Sequence, residues 1–351
     1  MKNLFLALLL SCTLPAFCRA DDIFYPADDK RIQYVGRIDF SDAKKPRFWP
    51  PGVYVTLRFR GPSCEVSIND EVLYGKNHNY LEVVVDGKPR RLQLKDKTNV
   101  LPLTGLADAE HTLVICKNTE SNIGYLEFVG VKCRQLLAPA PLPRRKIEFI
   151  GNSITCGTGS DQSEIPCGKG VWHDQHNAYL AYGPTVARAL NAQWSLTAVS
   201  GIGLMHSCCN MDVVMPQVFD KVSLRENKIA WNFQQYQPDV VTVCLGQNDG
   251  IQDSVAFCRN YGQFLKTLRG HYPKAEIVCL TSPMGDAKLT AALKNYLTSI
   301  VRTATAQGDK KVHSFFFANR YTAGCDSHPS LAEHQLIAKE LAAYVQSITR
   351  W

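Results

Sequence analysis

The sequence has no Cys-x-x-Cys pair, no Gly-x-Gly-x-x-Gly fingerprint and no glycine-lysine-serine/threonine phosphate loop. A cysteine-ligated zinc site is therefore not expected, since such sites draw thiolates from closely spaced pairs. Binding of a nucleotide cofactor through a glycine-rich turn is not indicated either, and the reading calls for no cofactor and no metal. The apolar run Leu4 to Leu10 is too short to span a bilayer permanently. Neither half of the chain has a long apolar stripe suited to a fatty acyl chain. Lysine and arginine outnumber aspartate and glutamate by 39 to 32, but the only compact basic cluster is Arg144-Arg145-Lys146. Three charges do not make a nucleic-acid footprint, and no nucleic acid or obligate protein partner is expected.

What is present is a chain of 351 residues with 45% hydrophobic content, enough for two substantial cores. Residues 1–20 read as a signal peptide: Lys2, the apolar run, then Cys18 and Ala20 at the two small-residue positions before cleavage. The expected location is secreted, periplasmic or extracellular. Leu9-Leu10-Ser11-Cys12 resembles a lipoprotein signal, so a lipid on Cys12, tethering the protein to a membrane, is the alternative to release. Two of the 13 cysteines fall in this segment, and the odd remainder leaves at least one without an internal partner. Cys244 and Cys279 lie in strand-like runs and read as core residues. Cys208 with Cys209, and Cys156 with Cys167, are candidate bonds that spacing alone does not assign.

Residues 21–135 read as short strands. Val53, Val55, Leu57 and Phe59 alternate with Tyr54, Thr56, Arg58 and Arg60, as a sheet with one buried face requires. Cys64, Val66 and Ile68 repeat the pattern; Tyr80 to Val85 leads into an Asp86-Gly87 turn before Leu92 and Leu94; Thr112 to Cys116 and Leu126 to Val131 follow. A β-sandwich, jelly-roll-like, is the natural solution. Prolines 139, 141 and 143 stiffen a linker at 136–145. Residues 146–351 then alternate strand-like runs (146–150, 194–199, 240–245, 277–280, 313–317) with helical stretches (182–190, 257–271, 289–306, 331–348). That alternation predicts an α/β class with a three-layer α/β/α domain and a mostly parallel sheet.

Four polar islands follow these strands: Gly151-Asn152-Ser153, Ser200-Gly201-Ile202-Gly203, Gly246-Gln247-Asn248-Asp249 and Asp326-Ser327-His328. Chemistry in open α/β sheets collects at the carboxyl ends of strands, so folding can gather the four along one edge. A hydroxyl, an imidazole and amide donors are the groups that acyl transfer needs: nucleophile, proton acceptor and oxyanion stabiliser. The ordered set Ile-Gly-Asn-Ser-Ile-Thr-Cys-Gly, Ser-Gly-Ile-Gly, Gly-Gln-Asn-Asp and Cys-Asp-Ser-His-Pro, after a β-sandwich, resembles carbohydrate esterase family 2 of the SGNH, or GDSL-like, hydrolase superfamily. The resemblance implies Ser153 as nucleophile, His328 as general base, and an oxyanion hole of the Ser153 N–H, the Gly203 N–H and the Asn248 side chain. It implies removal of O-acetyl groups from carbohydrates, with plant polysaccharides such as xylan or mannan as substrates.

Two details depart from the commonest superfamily pattern. Asn152 stands where aspartate usually precedes the nucleophile, and one residue, not two, separates Asp326 from His328. The Asp326 carboxylate thus either orients the imidazole or caps a loop, and the resemblance implies that a backbone carbonyl can orient it instead. Asn248 can alternatively cap a helix, Gly203 can serve only a positive φ, and Asp249 can close its loop by accepting backbone hydrogen bonds. His173, Asp174 and His176 read as solvated polar residues rather than metal ligands. Trp172 is a candidate wall for a sugar ring, with core or lid packing as the alternative. The alternatives in function are an esterase for acetylated peptidoglycan and a carbohydrate-binding protein on an inactive hydrolase scaffold.

Overall fold

The computed structural model describes residues 21–351, so the expected signal peptide, with Cys12 and Cys18, lies outside the described residues. Among the described residues, nine strands build the first domain: β1 (Ile23–Pro26), β2 (Gln33–Val35), β3 (Arg47–Phe48), β4 (Tyr54–Asp70), β5 (Tyr80–Val85), β6 (Lys88–Gln93), β7 (Thr98–Leu103), β8 (Glu110–Lys117) and β9 (Leu126–Leu136). Every pairing is antiparallel. The 17-residue β4 joins two runs that the sequence reading kept apart. Gly61, at φ +134°, and a register shift between Arg60 and Cys64 let one strand bend and change neighbours. Its first part pairs with β2 and β8 and, at Phe59 and Arg60, with the end of β9; its second part pairs with β7 and the rest of β9. Val55, Leu57 and Phe59 from the first part and Val66 and Ile68 from the second meet in one buried core with Leu113 and Phe128.

Residues 137–144 have no regular structure, and the second domain follows. Its elements are β10 (Arg145–Gly151), α1 (Ser153–Cys156), α2 (Tyr182–Ala189), β11 (Ala192–Ala198), α3 (Met215–Val218), a hairpin of β12 (Lys221–Ser223) and β13 (Lys228–Ala230), β14 (Val240–Cys244), α4 (Ser254–His271), β15 (Glu276–Leu280), α5 (Ala287–Ala306), β16 (Val312–Phe315) and α6 (Leu331–Thr349). The five-stranded sheet runs β11-β10-β14-β15-β16, parallel throughout. The central strands are apolar on both faces because helices cover both. Tyr182 and Val186 of α2 and Ile337 and Leu341 of α6 pack on one side; Phe257 and Tyr261 of α4 and Leu293 and Leu297 of α5 pack on the other. This is the three-layer arrangement that the alternation predicted.

The two domains share a core. The rings of Tyr54 and Trp194 lie 4.1 Å apart, and the indole N–H of Trp194 donates to the Gly52 carbonyl at 2.8 Å. Arg37, from the first domain, forms a buried ion pair with Glu148 of β10 at 2.8 Å.

Candidate active site

Strand β10 ends at Gly151, where a Cβ would lie 2.1 Å from the Thr155 hydroxyl; only glycine lets α1 fold back this closely. Asn152 caps the helix, its Oδ1 accepting from the Ile154 N–H at 3.2 Å. Ser153 is thereby the first helical residue, 7% exposed. Its hydroxyl lies 2.8 Å from Nε2 of His328, although 175 positions separate them.

His328 closes a turn in which Asp326 and Ser327 are both left-handed, at φ +51° and +59°. Two ties hold this turn: the Cys325 N–H donates to the Gly159 carbonyl at 2.8 Å, and Cys325 is disulfide-bonded to Cys167. The candidate Cys156–Cys167 bond is therefore not formed: Cys167 pairs with Cys325, and Cys156 is a buried free thiol in α1. Cys208 and Cys209 are bonded to each other. The Asp326 side chain is exposed and does not bond the imidazole, whose Nδ1 is buried with no hydrogen-bond partner among the described residues. The left-handed step at Asp326 and Ser327 carries the carboxylate outward, so a direct aspartate-histidine bond is absent. Burial holds the His328 pKa below the ordinary imidazole value, with the backbone of Cys325 and Asp326 and the Asp326 charge opposing it.

Gly151 and Ala198 are in register on neighbouring parallel strands, so the segment after β11 leaves the sheet beside the serine turn. Here the structure differs from expectation. The Gly203 N–H donates to the Ser207 hydroxyl at 3.1 Å, whereas the Gly201 N–H has no hydrogen-bond partner among the described residues. Gly201 sits at φ +84°. Gly203 is required for packing, since a Cβ there would lie 1.9 Å from the His206 carbonyl oxygen. Ser-Gly-Ile-Gly holds two glycines two positions apart, and nothing in the sequence told which N–H would remain open. Asn248, after β14, donates one amide proton to the Ile202 carbonyl at 2.8 Å, leaving a second proton. Asp249 accepts from the N–H groups of Leu204, Met205 and His206 at 2.9, 2.6 and 3.0 Å, as a loop-closing carboxylate would.

The 172–176 segment was expected to carry solvated polar side chains. Instead His173, Asp174 and His176 are buried beneath the first domain, where the Tyr80 hydroxyl donates to Asp174 at 2.8 Å and Arg91 donates to the Asp174 and His176 carbonyls at 2.6 and 3.0 Å. Only Trp172 emerges, 44% exposed, its ring packed edge-on against His176 at 4.3 Å. Chemically, the assembly offers a hydroxyl bonded to a desolvated imidazole, beside a loop with open amide donors.

Residues 34–143 match the model described as Carbohydrate esterase 2 N-terminal, and residues 149–336 match the GDSL-like Lipase/Acylhydrolase family. A family two carbohydrate esterase structure from Clostridium thermocellum, in complex with cellohexaose, superposes with a TM-score of 0.84 at 32% identity, covering 91% of this chain and 99% of that one. The chain belongs to carbohydrate esterase family 2. With its GDSL-like acylhydrolase domain and esterases among its relatives, it is a carboxylic-ester hydrolase. A family 2 structure from Cellvibrio japonicus gives a TM-score of 0.85 at 25% identity, covering 95% of this chain and 99% of its own. Among curated relatives, the Cellulase/esterase CelE of Acetivibrio thermocellus is 34% identical across 95% of this chain. The family 2 chain spans only 41% of that relative's length. An Acetylxylan esterase / glucomannan deacetylase of Cellvibrio japonicus is 27% identical, over 93% of this chain and 91% of its own.

Proposed function

We propose that this chain removes O-acetyl groups from plant cell-wall polysaccharides of the xylan and mannan type, with Ser153 as nucleophile and His328 as general base. The observation that carries the reading is the 2.8 Å hydrogen bond between the Ser153 hydroxyl and His328 Nε2. A neutral imidazole there accepts the seryl proton as the oxygen attacks the acetyl carbonyl, then returns it to the departing sugar hydroxyl. Water repeats the cycle and frees acetate from the acyl-enzyme.

The carbonyl oxygen gains a negative charge in each transition state, and donors fixed in advance stabilise it, each worth about 3 kcal/mol. The three donors are the Ser153 N–H, the Gly201 N–H and the second amide proton of Asn248; Gly203, its N–H held by Ser207, shapes the loop. His328 is placed by the turn that carries it and by the Ser153 hydroxyl at its Nε2 rather than by the Asp326 side chain. An acetyl group offers little surface for recognition, so binding energy must come from the sugar side. Exposed Trp172 is suited to stack on a pyranose ring. The names of the relatives, acetylxylan esterase and glucomannan deacetylase, support this substrate class. Such polymers lie outside the cytoplasm, in keeping with residues 1–20 acting as an export signal, with or without a lipid on Cys12; fractionation with metabolic lipid labelling tests that placement.

Acetate release from acetylated xylan, glucomannan and peptidoglycan, assayed in parallel, tests the function. Release from the plant polymers is expected, and Ser153→Ala, with unchanged circular dichroism, should abolish it. Preference for peptidoglycan would move the substrate to the bacterial wall; binding without release would make the chain a lectin-like scaffold; normal turnover by Ser153→Ala would remove the serine from the mechanism.

A further inference from the structure

The loop between β8 and β9 runs from the first domain into the second, and its residues Asn118, Thr119, Glu120 and Ser121 are fully buried. At its tip the Glu120 carboxylate reaches both segments of the active site. Its Oε2 accepts the Ser200 N–H at 2.6 Å, immediately before Gly201. The same oxygen takes the Cys156 thiol at 3.8 Å, from the last residue of the helix that Ser153 begins. A parallel link runs above it, where the hydroxyls of Ser200 and Thr158 lie 2.8 Å apart and the Thr158 N–H donates to the Ser153 carbonyl at 3.0 Å. Beside it, buried Lys117 donates to the carbonyls of Thr119 and Glu120 at 2.6 and 3.1 Å, bracing the loop rather than the carboxylate.

We infer that Glu120 is a positioning residue: by holding the Ser200 N–H against the nucleophile helix it sets the Gly201 N–H in the oxyanion hole, so the sandwich domain completes the catalytic machinery. The inference rests on the reading of Ser153 and Gly201 given above. A peptide held on one side by a buried acceptor and on the other by a left-handed glycine has few ways to turn, and preorganised donors act only while their direction is kept. Among the described residues the other carboxylate oxygen is buried with no partner, so Glu120 acts through Oε2 alone, on Ser200 and, more weakly, on Cys156. Burial raises the Glu120 carboxyl above its ordinary range and pushes Lys117 down to about 7, which makes a neutral isostere a fair replacement.

The test compares Glu120→Gln, which keeps an acceptor in reach, with Glu120→Asp, which keeps the charge and withdraws the oxygen, and with Glu120→Ala. Turnover of p-nitrophenyl acetate and acetylated xylan is measured per active site titrated with a serine-reactive phosphonate, alongside thermal melting. In Glu120→Asp and Glu120→Ala, kcat is expected to fall about 10- to 100-fold with KM nearly unchanged, while Glu120→Gln stays within about threefold of the parent. Should the alanine variant not fold, the glutamine–aspartate contrast carries the decision. An order reversed, with aspartate active and glutamine not, would assign Glu120 to balancing the Lys117 charge; full kcat in aspartate or alanine with only a lowered melting point would make it structural. Either result overturns the inference while leaving Ser153 in its role, whereas activity in Ser153→Ala would overturn the reading beneath it.

Discussion

At the residue scale, His328 has to be neutral to act, and its surroundings set how far into acid it stays so. Desolvation lowers its pKa below the ordinary 6.5. The acid limb of kcat/KM, which follows the free enzyme's base, should therefore have its midpoint below 6.5 and rise with pH through it. The Asp326 charge opposes that shift without touching the ring, so Asp326→Ala should move the limb to lower pH and reduce kcat by less than about tenfold. A pH profile of both enzymes checks this; a loss as large as that of His328→Ala would restore Asp326 to a full triad. The Ser153-His328 pair was legible in the sequence because each residue follows a strand end in a motif of several residues. The outward turn of Asp326 was not, since it depends on two successive left-handed residues that are not glycines.

At the scale of elements, α6 stabilises α2 through a group whose charge state matters. Ala181, the N-cap of α2, has no side chain to cap it, and the Tyr182 N–H instead donates to Nδ1 of His334 at 3.1 Å. That ring nitrogen must be unprotonated to accept, and full burial, with the nearby His328 adding to it, pushes the His334 pKa down to about 3. The sign follows: below 6.5 the unfolded chain takes up a proton that the folded chain refuses, so this contribution is complete above 6.5 and is lost as pH falls toward 3. His334→Asn offers an oxygen near the Nδ1 position and nothing to titrate. Urea unfolding at pH 7, 6, 5 and 4 should show the variant gaining on the parent by up to about 1.4 kcal/mol per pH unit on the acid side; a constant difference between the two would refute the role. Periodicity located all four long helices and all five parallel strands within a few residues, because each buries a continuous apolar face. It missed β1, β2, β3, β7, β12 and β13, where short or mixed runs such as Gln33-Tyr34-Val35 owe their strand form to the strands they pair with.

At the scale of the molecule, the sequence divides cleanly at the proline segment while the folded chain does not. Contacts such as Ser200 to Glu120 and Asp174 to Tyr80 join residues tens of positions apart whose partners carry no motif, so no local pattern announces them. Arg37 is the sharpest case. Its guanidinium is buried between Glu148 and the carbonyls of Phe219 and Lys221, with Phe219 and Trp231 rings against it. Among the described residues, one guanidinium nitrogen and one Glu148 oxygen have no partner, which leaves the pair incompletely satisfied. Removing one charge strands the other in a dry interface, at a cost of about 3–5 kcal/mol, whereas an apolar pair of similar volume is close to neutral. Arg37→Met should therefore lose that amount in chemical denaturation, and adding Glu148→Leu should recover most of it. Because the interface core is shared, tryptophan fluorescence and far-ultraviolet circular dichroism should report one coincident transition for the parent protein. Separate transitions, or an Arg37→Met cost below about 1 kcal/mol, would mean that the domains are stable independently and that this ion pair adds little to their union.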